Sequence, residues 1–327
     1  MPFGCLEASL LPPAIRLNST IRNYASRANL LANTHPIAKA ITRIQSTNLQ
    51  RSKKPNQHRQ LQTITNAILK QQRDTEQTIP YRFRPWDTLN YTVTVSQKSK
   101  EEEANAHQAY IKTRLDNYTT IYSDASQTQE GKGIGVGIAV YNSTQQEIYS
   151  ETVNIGQYQL VYNGELEGIT RAFEYAAKNA TTDQEFEVYA DNQAAIYRLK
   201  TYQITQDSIG NPMSKAANTI RRKQANIHLL WAPGHTDIVG NERADHLAKE
   251  ATKEDPRSTT KSIAYLGTTI KRIQQTEQRQ EYEKYKARAT ALNKATYSAK
   301  YPLKISKTIQ MPQNTKRVTS SAFSLLS

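Results

Sequence analysis

The stretch that decides the fold reads Tyr118-Thr-Thr-Ile-Tyr122, then Ser123-Asp124-Ala125-Ser126 and a turn, then Gly133-Ile-Gly-Val-Gly-Ile-Ala-Val-Tyr141. The first run is β-branched and aromatic, and the second alternates small and apolar residues, so each predicts a strand. Glu147 to Ile155 supplies a third, and the short connections make the three antiparallel. Downstream, Tyr162 to Ala180 sets Leu166, Ile169, Ala172, Phe173 and Ala176 on one helical face. Phe186-Glu-Val-Tyr-Ala190 reads as a buried strand and Ile227-His-Leu-Leu-Trp231 as another. Helices are expected at Asn192 to Thr201, Met213 to Lys223 and Asn241 to Thr252. The order β-β-β-α-β-α-α-β-α predicts an α/β fold: a mixed five-stranded sheet, three strands antiparallel and the later ones parallel, with helices on its faces.

Working outward, the flanks differ from this centre in charge. The 327-residue chain carries 43 Lys and Arg against 29 Asp and Glu, a formal charge of +14. Residues 1–116 hold a net +9, residues 117–254 a net −5 and residues 255–327 a net +10. An acidic centre between basic flanks fits a site that concentrates carboxylates while its surroundings attract a polyanion. The plain alternative is that the charge runs are solvated faces. Behind Pro12-Pro13, residues 10–33 place Ala14, Leu17, Ile21, Tyr24, Ala28 and Leu31 on one helical face, and a shorter helix is expected from Ile37 to Ile44. Residues 45–77 read as a polar linker, residues 81–96 as an extended lead into the centre, and residues 261–290 as a charged helix. The lone Cys5 rules out a disulfide within the chain and a cysteine-based zinc site. No apolar run approaches the ~18 to 20 residues that cross a bilayer, so no membrane partner and an intracellular location, nuclear or cytoplasmic, are expected. The Arg-rich, acid-poor start also has the composition of a mitochondrial presequence, which is the alternative.

Four carboxylates fall where chemistry is usually done in such a fold. Asp124 ends the first strand, Glu165 lies in the first turn of the first helix, Asp191 follows a strand, and Asp245 sits in the helix after Trp231-Ala-Pro-Gly-His235. Taken singly each has a structural explanation, as a helix cap, a first-turn acid, or a partner of Arg243 or Lys249. Taken together the string is specific. Ser123-Asp124-Ala125-Ser126, Tyr162-Asn-Gly-Glu165-Leu, Tyr189-Ala-Asp191-Asn-Gln-Ala-Ala-Ile196, Trp231-Ala-Pro-Gly-His235 and Gly240-Asn-Glu-Arg-Ala-Asp245-His-Leu-Ala-Lys249 closely resemble type 1 ribonuclease H. In detail they are similar to the ribonuclease H domains of fungal non-LTR retrotransposon polyproteins. The N-terminal helices are loosely similar to the segment joining reverse transcriptase to ribonuclease H there.

The resemblance implies a ribonuclease H-like fold over residues 117–254, behind a helical segment at 1–50 and a basic polar linker at 51–116, with a basic extension at 255–327. It implies an endonuclease that cuts the RNA strand of an RNA–DNA hybrid and leaves 5′-phosphate ends. The cofactor implied is a pair of Mg²⁺ ions, with Mn²⁺ as the alternative, and no small-molecule cofactor. Hard oxygen ligands suit that chemistry: Asp124, Glu165, Asp191 and Asp245 as metal ligands, with His235 assisting proton transfer or product release. Nucleic-acid contacts are expected from Ser126, Asn163, Asn192, Gln193 and the Arg221-Arg222-Lys223 run, whose plain reading is a solvated helix end. The oligomeric state is left open. Two departures from the pattern stand out: Leu160-Val161 replaces a Thr-Asn pair that grips phosphate in cellular members, and Gly164 replaces an alanine, which is expected to soften the helix start under Glu165.

Two other readings of the motifs fail on context. Tyr189-Ala-Asp191-Asn192 resembles a reverse transcriptase box but lacks its second acid, and Gly131 to Gly137 leads into strand alternation rather than a helix. The competing function classes are a catalytically inactive nucleic-acid-binding remnant and an assembly module acting through the flanks.

Overall fold

The computed structural model describes residues 11–31, 35–37, 39–40, 75–76, 89–128, 130–200 and 210–291. In chain order the elements are α1 (Pro13–Asn29), β1 (Thr92–Thr94), α2 (Lys100–Thr113), β2 (Tyr118–Gln127), β3 (Ile134–Tyr141), β4 (Glu147–Asn154) and α3 (Val161–Asn179). Then follow β5 (Glu185–Ala190), α4 (Gln193–Lys200), α5 (Gly210–Arg222), β6 (Asn226–Trp231), α6 (Val239–Ala251) and α7 (Ile263–Ala291). The contacts divide the chain into one unit of residues 74–265 and another made of 1–73 with 266–327. None of the described helices is long and apolar enough to cross a membrane.

The larger unit is built on a sheet of order β1-β6-β5-β2-β3-β4. β2, β3 and β4 are antiparallel neighbours, while β2, β5, β6 and β1 run parallel. The mixed α/β architecture expected from the sequence is present, with one strand more: the sixth, β1, comes from the lead-in segment and pairs Thr92 to Thr94 with His228 to Leu230.

Period-two alternation divides the core between the two faces of the sheet. Ile121, Val140, Val188 and Leu229 belong to the face beneath α3, α4 and α5, where Leu166, Ile169, Phe173, Ile196, Leu199 and Ile220 bury their side chains. The alternate residues Tyr122, Ala139, Tyr141 and Tyr189 belong to the other face, with Ala104 of α2 and Ala244 and Leu247 of α6. The glycine run of β3 serves this second face: a Cβ at Gly137 would lie 2.5 Å from the carbonyl oxygen of Ala244, so the α6 backbone rests directly on the strand.

The expected linker over 51–116 is partly ordered structure. α2 opens with a capping box, in which the Glu102 N–H donates to Ser99 Oγ (3.3 Å) and the Ser99 N–H donates to Glu102 Oε2 (3.0 Å). At its other end Arg114 forms a buried ion pair with Glu187 of β5 (3.0 Å), and the Tyr110 hydroxyl donates to the same carboxylate (2.6 Å). Residues 89–116 therefore belong to the same compact unit as the strands they precede. Periodicity hid this helix, because its buried positions are only Ala104 and His107.

In the smaller unit α1 runs from Pro13 to Asn29, a helix as expected behind Pro12-Pro13, but its buried side is Ile15, Ser19, Arg22, Ser26 and Ala28, and Leu17 and Tyr24 of the expected apolar face are exposed. Its Ser19 hydroxyl donates to Gln274 Oε1 of α7 (2.7 Å), and Arg22 donates to Glu277 Oε2 (2.9 Å). Of the shorter helix expected at 37–44, only residues 37, 39 and 40 are described. Most of the 45–77 stretch and the tail from 292 lie outside the described residues.

Candidate active site

Parallel strands deliver their carboxyl ends to one edge of the sheet, and this edge gathers the acids. β2 and β5 pair in parallel up to Ser123 and Ala190, so the next residue of each, Asp124 and Asp191, emerges side by side. α3 crosses the same edge with Glu165 in its first turns. Carboxylate oxygens of Asp124, Glu165 and Asp191 lie within 4.8 Å of one another, the first two residues buried and the third half-buried. Asp245 is brought alongside by α6, close enough to act on the charges of Asp124 and Asp191, and its own carboxylate accepts a 2.5 Å bond from Lys249 Nζ. Three of the four expected acids thus form a tight cluster, and the fourth borders it with a lysine counter-ion.

Crowding acids in a buried place disfavours their charged forms. Burial, reinforced by the charge on Asp191, pushes the Asp124 carboxyl up to about 8. Burial and the charges of Asp124 and Asp191 push Glu165 up to about 9, against a side-chain hydrogen bond from Asn192. Asp191 is raised by burial, partly countered by the positive charges of His235 and Lys100. One oxygen, Glu165 Oε2, is buried with no hydrogen-bond partner. A buried acceptor without a donor is costly, and an all-oxygen donor set of this kind suits a hard divalent cation. The residues present therefore fit a divalent metal.

The surroundings hold the acids in place. Trp231 Nε1 donates to the main-chain oxygen of Asp191 (3.0 Å), so the Trp of the Trp-Ala-Pro-Gly-His loop fixes the neighbouring strand end. The loop then passes over the Asp191 side chain, since a Cβ at Gly234 would lie 2.5 Å from Asp191 Oδ2. His235 follows, exposed and with a left-handed φ of 58°. Gly164 has a positive reason to be glycine: a Cβ there would lie 2.7 Å from that of Ala125 and 2.8 Å from Ile134 Cγ2. The substitution expected to soften this helix start instead lets α3 sit closely against β2 and β3, carrying Glu165 to the cluster.

The expected nucleic-acid contacts divide in two. Asn192 lies at the cluster, where its Oδ1 caps α4 by accepting from the Ala195 N–H (3.1 Å). Asn163 is buried and its Nδ2 donates to Gln159 Oε1 (3.1 Å). Ser126 is half-buried near the end of β2, and Gln193 is exposed at the start of α4. The Arg221-Arg222-Lys223 run precedes β6 and so lies at the opposite edge, roughly 17 Å of strand from Trp231. There Arg221 donates to Asn90 Oδ1, Arg222 to Thr219 Oγ1 (3.0 Å), and Lys223 Nζ caps α3 through the carbonyls of Ala177 (2.8 Å) and Lys178 (3.2 Å). The structure does not bring this run to the acids, and Lys223 is occupied. Sequence reasoning also missed the hydrogen bond from Trp231, which its motif position signals, and Lys100, which only the capping box Ser99-x-x-Glu102 places on a helix.

A mixed sheet of this strand order, with three acids converging at its carboxyl edge, defines an α/β domain whose carboxylate cluster suits a divalent cation. Residues 116–253 match the family model described as RNase H, and this segment is an RNase H domain. Among solved structures, a compost-metagenome RNase H1, LC11, in complex with an RNA/DNA hybrid is 20% identical, covering 41% of this chain and 96% of that one with a TM-score of 0.34. An N-terminal RNase H domain from Mycobacterium tuberculosis is 18% identical (41% and 93% covered, TM-score 0.33), and RNase H1 of Halobacterium salinarum is 20% identical (41% and 96%, TM-score 0.30). No curated protein matches the chain.

Proposed function

We propose that this protein is an endonuclease that hydrolyses the RNA strand of RNA–DNA hybrids with two Mg²⁺ ions, leaving 5′-phosphate ends. The observation that carries the reading is the oxygen cluster of Asp124, Glu165 and Asp191 within an RNase H domain, with Glu165 Oε2 unpartnered. Divalent ions, when bound, supply a polarised water and charge stabilisation at the departing 3′-oxygen.

The chain's own residues do the rest. Asp124, Glu165 and Asp191 present the oxygens, and Asp245 adds its carboxylate from the side, tethered by Lys249. Asn192 orients Glu165 by donating to its carboxylate. Trp231 and the backbone at Gly234 confine Asp191. His235, exposed beside Asp191, is placed to take up or deliver a proton at the edge where product leaves. The sequence forms Tyr162-Asn-Gly-Glu165-Leu and Asp191-Asn-Gln-Ala-Ala-Ile196 support a retroelement origin.

The test is cleavage of a labelled hybrid by the full chain with Mg²⁺, beside Asp191→Asn and single-stranded and double-stranded RNA. Hybrid-specific cutting that is lost in the variant is the expected result. A folded protein that binds the hybrid and cuts nothing with either Mg²⁺ or Mn²⁺ is the non-catalytic remnant instead.

A further inference from the structure

α2 lies outside the matched RNase H segment and runs along the second face of the sheet, antiparallel to β5. Its register against that strand can be read contact by contact. At the carboxyl end of the helix, Arg114 and Tyr110 hold Glu187. One turn earlier the His107 ring stands edge-on to Tyr189, 4.4 Å between centroids, while its Nε2 shares a hydrogen bond with the Tyr122 hydroxyl (2.8 Å). Ala104 is buried in the same cluster. Positions 100, 104, 107 and 111 fall on one helical face, so the line of the packed residues Ala104 and His107 leads, one turn earlier, to the exposed Lys100. β5 meanwhile advances from Glu187 through Tyr189 to Asp191. The helix start therefore reaches the sheet edge that carries the acids, and Lys100 is among the charges that act on Asp191.

The helix cannot slide away from this register. Its first turn is locked by the Ser99–Glu102 capping box, and its last residues by the buried pair with Glu187. The glutamates of the first turn are accounted for by the positive end of the helix dipole, with Glu102 occupied by Ser99. Lys100 itself is exposed and forms no ion pair among the described residues. An unpaired ammonium on a flexible stem, held beside a cluster that must admit a polyanion, is suited to a phosphate oxygen as a point charge.

We propose that α2 is a substrate-binding element of this protein and that Lys100 contacts a backbone phosphate of the hybrid adjoining the cleaved linkage. The inference rests on the hybrid as substrate but not on cleavage. It gives the segment preceding the RNase H domain a direct part in the site.

The test measures binding rather than turnover, by fluorescence anisotropy of a labelled RNA–DNA hybrid titrated with the full chain carrying Asp191→Asn. That background removes any effect Lys100 exerts through the charge of Asp191. Adding Lys100→Ala or Lys100→Gln is expected to weaken binding about three- to tenfold at 0.1 M salt and to lower the magnitude of the log–log salt slope by about 0.9. Lys100→Arg restores both, and all three variants melt with the parent because the side chain is exposed. This pattern supports the proposal whether or not the parent chain cuts RNA, so failure of the nuclease reading is seen separately. Unchanged affinity and slope in folded Lys100→Ala and Lys100→Gln overturn it, as does a parent chain that does not bind the hybrid.

Discussion

Replacing Asp124 by asparagine is expected to stabilise the metal-free protein at pH 8 while removing its response to metal. The Asp124 carboxyl is raised from an ordinary value near 3.8 to about 8, by burial and by Asp191. An acid whose folded value exceeds its unfolded one costs no stability below pH ~4 and progressively more as pH rises to the folded value. Each unit is worth about 1.4 kcal/mol, so the ionised Asp124 costs on the order of 5 kcal/mol by pH 8. Glu165, raised to about 9, adds to this cost, although neutralising one acid relieves the other. For a unit of this size 1 kcal/mol moves the melting midpoint by about 2–4 °C, so Asp124→Asn in EDTA is expected to melt on the order of 10 °C above the parent at pH 8 and close to it at pH 4.5. Added Mg²⁺ raises the parent at pH 8 and leaves the variant nearly unmoved, because the metal removes the same repulsion. Differential scanning fluorimetry at both pH values, with and without Mg²⁺, reads all four arms. A variant that melts below the metal-free parent at pH 8 refutes the claim that the acids repel one another in the absence of a cation.

Three further outcomes follow from the packing and the site. Gly164→Ala drives a methyl into Ala125 and Ile134 and is expected to cost about 1–3 kcal/mol in urea unfolding, with a larger loss of cleavage than of hybrid binding as Glu165 is pushed off the cluster. Arg114→Met leaves Glu187 buried without its cation and is expected to cost about 3–5 kcal/mol, whereas Arg114→Met with Glu187→Leu recovers most of it, measured as a double-mutant cycle. His235→Asn tolerates the left-handed backbone and is expected to lower kcat ten- to a hundredfold, with KM little changed in steady-state cleavage assays.

Within residues 118–252 the sequence by itself determined the elements and their order. Alternation in Ile121-Tyr122 and Val188-Tyr189 marked strands, the stripe from Leu166 to Ala176 marked a helix, and both patterns are local properties of spacing. It also named the acids, because the motifs around Asp124, Glu165, Asp191 and Asp245 are contiguous strings. Tertiary structure decided what spacing along the chain does not encode. The sixth strand has only three residues, too few for a period. α2 buries only an alanine and a histidine, so its face is set by partners on β2 and β5, 15 to 82 residues away in sequence. The reason for glycine at 164 is the distance to Ala125 and Ile134, which exists only once α3 lies on the sheet. The basic run at 221–223 looked equivalent to any other cationic patch, and only the direction of β6 sends it to the edge away from the acids. Local sequence fixes which surface each segment wants to bury, whereas charge and proximity at the site depend on which surfaces meet.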